Sequence, residues 1–487
     1  MFQMSDEQRR VVLFQAQPAG QGPFLCPSAL SFAHIAGLHH AHSALLDTKT
    51  VPAGRIGFVL AGPSQVINTS GLSLEQAPPL FVPFKFFFSA ALFSVAIGLL
   101  LIFNGQDLYS SRWSPLALTL THLVTVGFLA QVMTGAMFQL LPVVVGTPLP
   151  SVMLVSSIVN LCLALGAISL SSGFLFFNHE LLMLGAVLIS VGFSVFLVAA
   201  SLTIKGKSVP IKITLQLGLG WFSVIPTALL GILLVLALAG KVALNDMQHV
   251  ITIHLSWGLM GWLGIVLFSV LFKLVPIFYV TREIPLLLQQ IYAPSIVILL
   301  TFFTLSIFIE DSVFKSSITA VLFLLCLMAV GILVIIIQRK RPIIDSTLLF
   351  IGTGIGCLLL AAAIWIVSER DVVIGILLLI GVGLTIPIGI IYRVLPFLCW
   401  YHLQAVVLKR GRFNAQIPSM KHFIPERSAR RHYIVHTSAI ILLLAGDFIT
   451  QPFPALPGIV FTGSAIYLSS NIAKAYMAYQ RAIQVHF

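Results

Sequence analysis

The sequence predicts an all-α polytopic membrane protein of about twelve transmembrane helices, grouped as three four-helix units. Three observations carry that expectation. Of 487 residues, 58% are apolar and only 9% are charged, with a mean hydropathy of +1.04, a composition that needs lipid as its solvent. The apolar residues fall into runs of about 20 or more, long enough to cross a hydrocarbon core as helix, with short polar stretches between them. Three of those runs also share a pattern of glycine, aromatic, polar residue and proline that the others lack.

Cutting the chain at its charges and Pro/Gly clusters places spans at about 80–103, 114–145, 151–175, 181–204, 211–239, 249–280, 290–309, 315–338, 346–367, 372–404, 433–450 and 457–481. Residues 1–79 stand apart as an N-terminal segment of mixed polarity, with no secretory apolar core and no sustained helical period, so poor order is expected there. Within it, His39, His40 and His42 form either a small metal-binding cluster or a polar stretch of tail.

The net charge of +12 reports topology rather than nucleic-acid binding, because the basic residues sit in short loops and not on one face. Loops after the even-numbered spans hold Lys205, Lys207, Arg282, Arg339, Lys340, Arg341, Lys409, Arg410 and Arg412, whereas those after odd-numbered spans offer few cations beside Asp107, Glu180, Glu310 and Glu369. The expected topology is multi-pass in the cell inner membrane with both termini cytoplasmic. Cys26, Cys162, Cys326, Cys357 and Cys399 are scattered without a CxxC pair, and read as packing residues. Walker loop, dinucleotide-binding turn and HExxH motif are all missing, which argues against the usual soluble enzymes.

The repeated pattern ends the second, sixth and tenth spans as Phe138-Gln139-Leu140-Leu141-Pro142, Phe272-Lys273-Leu274-Val275-Pro276 and Tyr392-Arg393-Val394-Leu395-Pro396. Gly127, Gly261 and Gly381 stand 15 residues before those prolines, and Pro83, Pro210 and Pro342 open the first, fifth and ninth spans. The units run about 80–204, 211–338 and 346–481.

Ionisable residues inside a span are costly, which makes them functional candidates. His122 and His254 lie 20 and 22 residues before Pro142 and Pro276, at matching depth in the outer half of the bilayer. Two neutral imidazoles on separate helices suit a haem or a metal ion, and they suit cross-helix hydrogen bonding equally. On a helical wheel Gly258 and Gly261 share the stripe of His254, while Met133 falls near that of His122, leaving room for a haem edge or simply for close helix packing. His402, His422, His432 and His436 are expected at the inner interface. Gln139, Lys273 and Arg393 either line a polar path or snorkel to headgroups.

Twelve spans in three four-helix units, with His122 on the second, resemble the catalytic subunit of haem-copper oxidases and, closer in character, the reduced NnrS-like members of that superfamily. The resemblance covers about residues 75–485. It implies that His122 matches a low-spin haem ligand and His254 a copper-ligand histidine, with haem b and copper as cofactors and an electron-transfer partner or small gas as ligand. Residues 372–400 of the tenth span have no histidine, 281–345 has none, and Gly258 stands where the oxidases place a tyrosine, so oxygen reduction by a terminal oxidase is not expected. The expected role is electron transfer, gas sensing or nitric oxide handling. From another class, a secondary transporter of a small anionic or polar solute would use Lys273 and Arg393 on its path.

Overall fold

The computed structural model describes residues 73–205, 211–306, 311–340, 342–368, 370–411, 416–449 and 453–486. The expectations for the N-terminal segment, including its histidines and Cys26, lie almost wholly outside these residues.

The described residues form twelve long helices in the expected order. They are α1 (Phe81–Asn104), α2 (Pro115–Val145), α3 (Val152–Leu175), α4 (His179–Ile204), α5 (Ile211–Phe222 continued by Val224–Leu238) and α6 (Met247–Tyr279). Then follow α7 (Leu286–Leu305), α8 (Asp311–Ile337), α9 (Ser346–Val367), α10 (Asp371–Lys409), α11 (Glu426–Ile449) and α12 (Leu456–His486). Among the described residues, 10 helices are long and apolar enough to cross a membrane, namely α1 to α10, so the chain is a polytopic helical membrane protein.

The last two helices are not among these ten. α11 opens with Glu426-Arg427-Ser428-Ala429-Arg430-Arg431, and α12 carries Asn471, Lys474 and Arg481. They are nonetheless built into the bundle, with Ala439, Leu443, Phe461, Leu468, Ile472 and Ala475 buried.

Local chemistry sets the helix ends. Ser114 accepts from Ala117 N at 3.1 Å ahead of Pro115, Asn178 from Leu181 N at 3.0 Å, and Asp345 from Leu348 N at 3.0 Å, each satisfying an orphan donor of the first turn. Asp246 caps α6 through His249 N, and this hydrogen bond holds its carboxyl below the usual carboxylate range. Gly146 ends α2 in the left-handed conformation, φ 72°, which glycine adopts without steric cost. The break in α5 at Ser223 lies just ahead of Pro226, which lacks the N–H that would bond the carbonyl of Phe222.

The helices in the repeated pattern are distinct in two ways. α2, α6 and α10 are the most buried of the ten spans. Each also contains an eight-residue π-helical segment, at Leu123–Ala130, Trp257–Gly264 and Leu377–Leu384, and every one begins 19 residues before its helix's Pro142, Pro276 or Pro396. Long π-helix is rare, because its i→i+5 bonding is poor, and it concentrates at functional sites. Three copies at one register tie the sequence pattern to one backbone feature. The segments of α2 and α10 touch: a Cβ on Gly383 would stand 3.1 Å from Leu129 Cδ1.

Close helix approach elsewhere rests on small residues, as it must where lipid gives no hydrophobic drive for association. In the α3–α4 hairpin a Cβ on Gly185 would stand 2.5 Å from Leu170 N, and one on Gly173 2.7 Å from Leu182 N. The four described cysteines are unpaired, and Cys357 fills the notch left by Gly381, in keeping with packing roles.

Candidate functional site

The first turns of α2 and α6 position the two histidines singled out in the sequence. His122 precedes the π segment of α2 and its Nδ1 lies 2.8 Å from the carbonyl of Leu118, one turn back on the same helix. Its ring stacks on Phe174 of α3, with centroids 4.9 Å apart. His254 lies two residues before Ser256, and its Nδ1 is 2.9 Å from the carbonyl of Thr227 on α5. A carbonyl oxygen only accepts, so in both rings Nδ1 carries the proton and donates it. That fixes the neutral tautomer and leaves the Nε2 lone pair outward in each ring.

Among the described residues no hydrogen bond reaches either Nε2. Both imidazoles are partly buried and keep some accessible surface, and the two lie within electrostatic reach of one another. An imidazole with Nδ1–H held by a backbone carbonyl and a free Nε2 is what a metal ion or haem iron takes as ligand, the outer hydrogen bond setting ring orientation and basicity.

Gly258 and Gly261 stand where neighbouring helices approach α6. A Cβ on Gly258 would meet Thr227 Cγ2 at 3.3 Å, and one on Gly261 would meet Leu300 Cδ1 and Ser223 Cβ at 3.0 Å. They let α5 and α7 approach α6, and the approach of α5 brings the Thr227 carbonyl to His254. Gly231 on α5 gives the ring its place, since a Cβ there would stand 3.1 Å from His254 Cε1. Met133 is buried 11 residues beyond His122, about 16 Å along the axis at the α-helical rise. The helical-wheel stripe linking them assumed a uniform α-helix, and the wider π turn between them changes the angle per residue.

The three polar residues before the prolines stand in different surroundings. Arg393 is paired with Asp345 at 3.4 Å and lies over the Phe278 ring at 4.8 Å. Gln139 is buried with its Oε1 unpartnered, and Lys273 is half-buried.

The inner-interface expectation is overturned for two histidines. His432 and His436 of α11 are 0% and 1% exposed, bonded to Tyr392, Thr385 and Ser464. Their neighbours in the sequence are basic, but the i, i+4 spacing puts both imidazoles on the face that docks against α10 and α12. That spacing was the available signal. Phe174, Thr227 and Gly231 had none, since they act through rings, carbonyls and vacant space on other helices.

Fold and site together define a polytopic membrane protein with two tautomer-fixed imidazoles in its interior. Neither a known family model nor any curated protein matches the chain.

Proposed function

We propose that this protein is a membrane-embedded metalloprotein of oxidase-subunit-like architecture, binding a b-type haem, or copper, through Nε2 of His122 and His254. The observation that carries the reading is the pair of Nδ1–H groups committed to backbone carbonyls, with both Nε2 atoms left without a hydrogen-bond partner among the described residues. The donor set fits: two neutral imidazoles from separate helices, oriented from outside the coordination sphere. A haem b or copper ion there supplies one-electron chemistry and affinity for small diatomic gases. The chain's part is to hold the two rings at one height, to exclude water with the apolar walls of α2, α3, α5 and α6, and to keep both imidazoles neutral. Electron transfer, gas sensing or nitric oxide handling follow from such a site; oxygen reduction does not, since residues 372–400 and 281–345 offer no further histidine.

The π segments at equal distance from Pro142, Pro276 and Pro396, in the three most buried helices, support an arrangement of three four-helix units. With α11 and α12 as the eleventh and twelfth members, the loop charges support a cytoplasmic position for both termini in a cell inner membrane. The transport reading draws less support, because Arg393, its proposed cargo contact, is held by Asp345.

The test is a reduced-minus-oxidised absorbance spectrum with metal analysis of the purified protein. A Soret shift and an α-band, or stoichiometric copper, is expected, with loss in both His122→Ala and His254→Ala. A colourless, metal-free protein after expression with haem precursor and copper refutes the proposal.

A further inference from the structure

The longest buried polar array lies outside that site, where α10, α11 and α12 meet. Its hydrogens can be assigned by elimination, starting from one carbonyl. Thr385 Oγ1 lies 2.8 Å from the carbonyl of Ile380, so its only hydrogen is donated there. The contact of Thr385 Oγ1 with His436 Nε2, at 3.0 Å, must then be donated by Nε2–H. A neutral ring protonated at Nε2 accepts at Nδ1, so Ser464 O–H donates to His436 Nδ1 at 3.1 Å. With that hydrogen used, His432 Nε2–H donates to Ser464 Oγ at 2.9 Å, and Tyr392 O–H donates to His432 Nδ1 at 2.7 Å. Asn471 Nδ2 donates to Tyr392 Oη at 2.8 Å, and Asn471 Oδ1 accepts from Ser428 Oγ at 2.7 Å.

Every donor from Tyr392 to Thr385 points the same way, and each imidazole receives on Nδ1 and gives on Nε2. A ring so placed passes a proton through from one nitrogen to the other. The array also joins two levels of the molecule. Ser428, half-buried, follows the exposed Glu426 and Arg427 at the end of the bundle that carries the basic loops. Thr385 follows directly on the π segment of α10 and lies about 10 Å deeper along the axis than Tyr392. The walls are apolar or aromatic: Phe350 of α9 lies 5.6 and 5.7 Å from the two imidazoles, and Tyr467 of α12 stacks on His432 at 5.9 Å. The titratable groups facing the array from the packed elements are Tyr467 and, at its basic end, Glu426, which accepts from Ser346, and Arg393 with its partner Asp345.

We propose that Tyr392, His432, Ser464, His436 and Thr385 form a proton relay between water at the basic end of the bundle and the interior beside the α10 π segment. In one passage the Tyr392 hydroxyl proton moves to His432 Nδ1, and the phenol is refilled from water. The His432 Nε2 proton moves to Ser464, the Ser464 proton to His436 Nδ1, the His436 Nε2 proton to Thr385, and the Thr385 proton to an interior water. One proton enters and one leaves and no group ends charged; the shifted chain returns to its starting tautomers when its hydroxyls and imidazoles reorient, the step that limits repeated passage.

The test uses full-length protein in nanodiscs with isotope-labelled histidine, transferred to deuterated water, with ring N–H exchange followed by NMR. The wild-type His436 ring proton exchanges with bulk despite its burial. Ser464→Ala slows exchange at His436 by about tenfold or more, the factor given by about 1.4 kcal/mol of added barrier, while His432 keeps its rate. Ser464→Thr, which retains the hydroxyl, preserves both rates, and Tyr392→Phe slows both rings. A network with only a structural role gives a His436 proton as slow as the amides of α10, or equal changes at both rings in S464A; either result overturns the relay. Should S464A not fold, Y392F and S464T against wild type decide the matter.

Discussion

Asp345 offers the sharpest test of how the basic end of the bundle is held together. Its carboxylate caps α9 through Leu348 N at 3.0 Å, accepts from Tyr279 Oη of α6 at 2.6 Å, and pairs with Arg393 of α10 at 3.4 Å, joining three helices. Losing an N-cap costs about 1 kcal/mol. A hydrogen bond to a charged group contributes about 1.5–3 kcal/mol. The ion pair is partly solvated, with side chains 23% and 13% exposed, so it adds at most about 1 kcal/mol. Asp345→Ala is therefore expected to destabilise by about 3–4 kcal/mol, and Asp345→Asn, which keeps an acceptor for the cap and the phenol, by about 1–1.5 kcal/mol. The double variant with Arg393→Met should show a coupling energy of about 1 kcal/mol or less. Reversible unfolding in mixed micelles, followed by tryptophan fluorescence, measures the wild type, the three single variants and the double variant. Equal losses in D345A and D345N would show that the charge, not the cap and phenol, does the holding. An R393M form of wild-type stability that fails to take up a small anion into vesicles would refute the structural role of Arg393 and favour transport.

Three further outcomes follow from particular contacts. Gly231→Val places side-chain atoms against the His254 ring, where even a Cβ would stand 3.1 Å from Cε1, so bound haem or metal should be lost while the gel-filtration profile of the folded protein persists. Gly185→Ala forces a methyl to within 2.5 Å of Leu170 N, backbone that cannot swing away, and should cost about 1–3 kcal/mol in the same unfolding assay. Deleting Val126 from the π segment of α2 turns the wide turn into α-helix and keeps the flanking faces in register, whereas deleting Met137 from regular helix rotates everything before it by about 100°. The monodisperse yield of the first deletion should far exceed that of the second; equal yields would mean that the π geometry does not set the register.

How much could be read in advance differs between fold and site. Membrane helices were legible because crossing lipid demands that each helix satisfy its own backbone, which writes every span as a contiguous apolar run. The repeat was legible as Gly127, Gly261 and Gly381 at fixed distance from three prolines, but nothing in that spacing announced the π geometry, which depends on how the innermost helices pack. His122 and His254 stood out as ionisable residues in apolar runs. Their tautomers could not be read, since the Leu118 and Thr227 carbonyls that fix them are backbone atoms, and every residue has one. Gly258 was visible, yet its work, bringing α5 against α6, is a relation between helices.

Sequence alone determined that this chain lives in a bilayer, where along the chain its spans fall to within several residues, and which two imidazoles are worth attention, because those properties are local to a run of residues and to its free energy of transfer from water. Tertiary structure alone decided that Arg393 is clasped by Asp345, that His432 and His436 are buried rather than interfacial, and that their hydrogens point one way from Tyr392 to Thr385. Those facts rest on which faces of helices distant in the chain come together, and that choice is made by packing and hydrogen-bond satisfaction across the whole bundle.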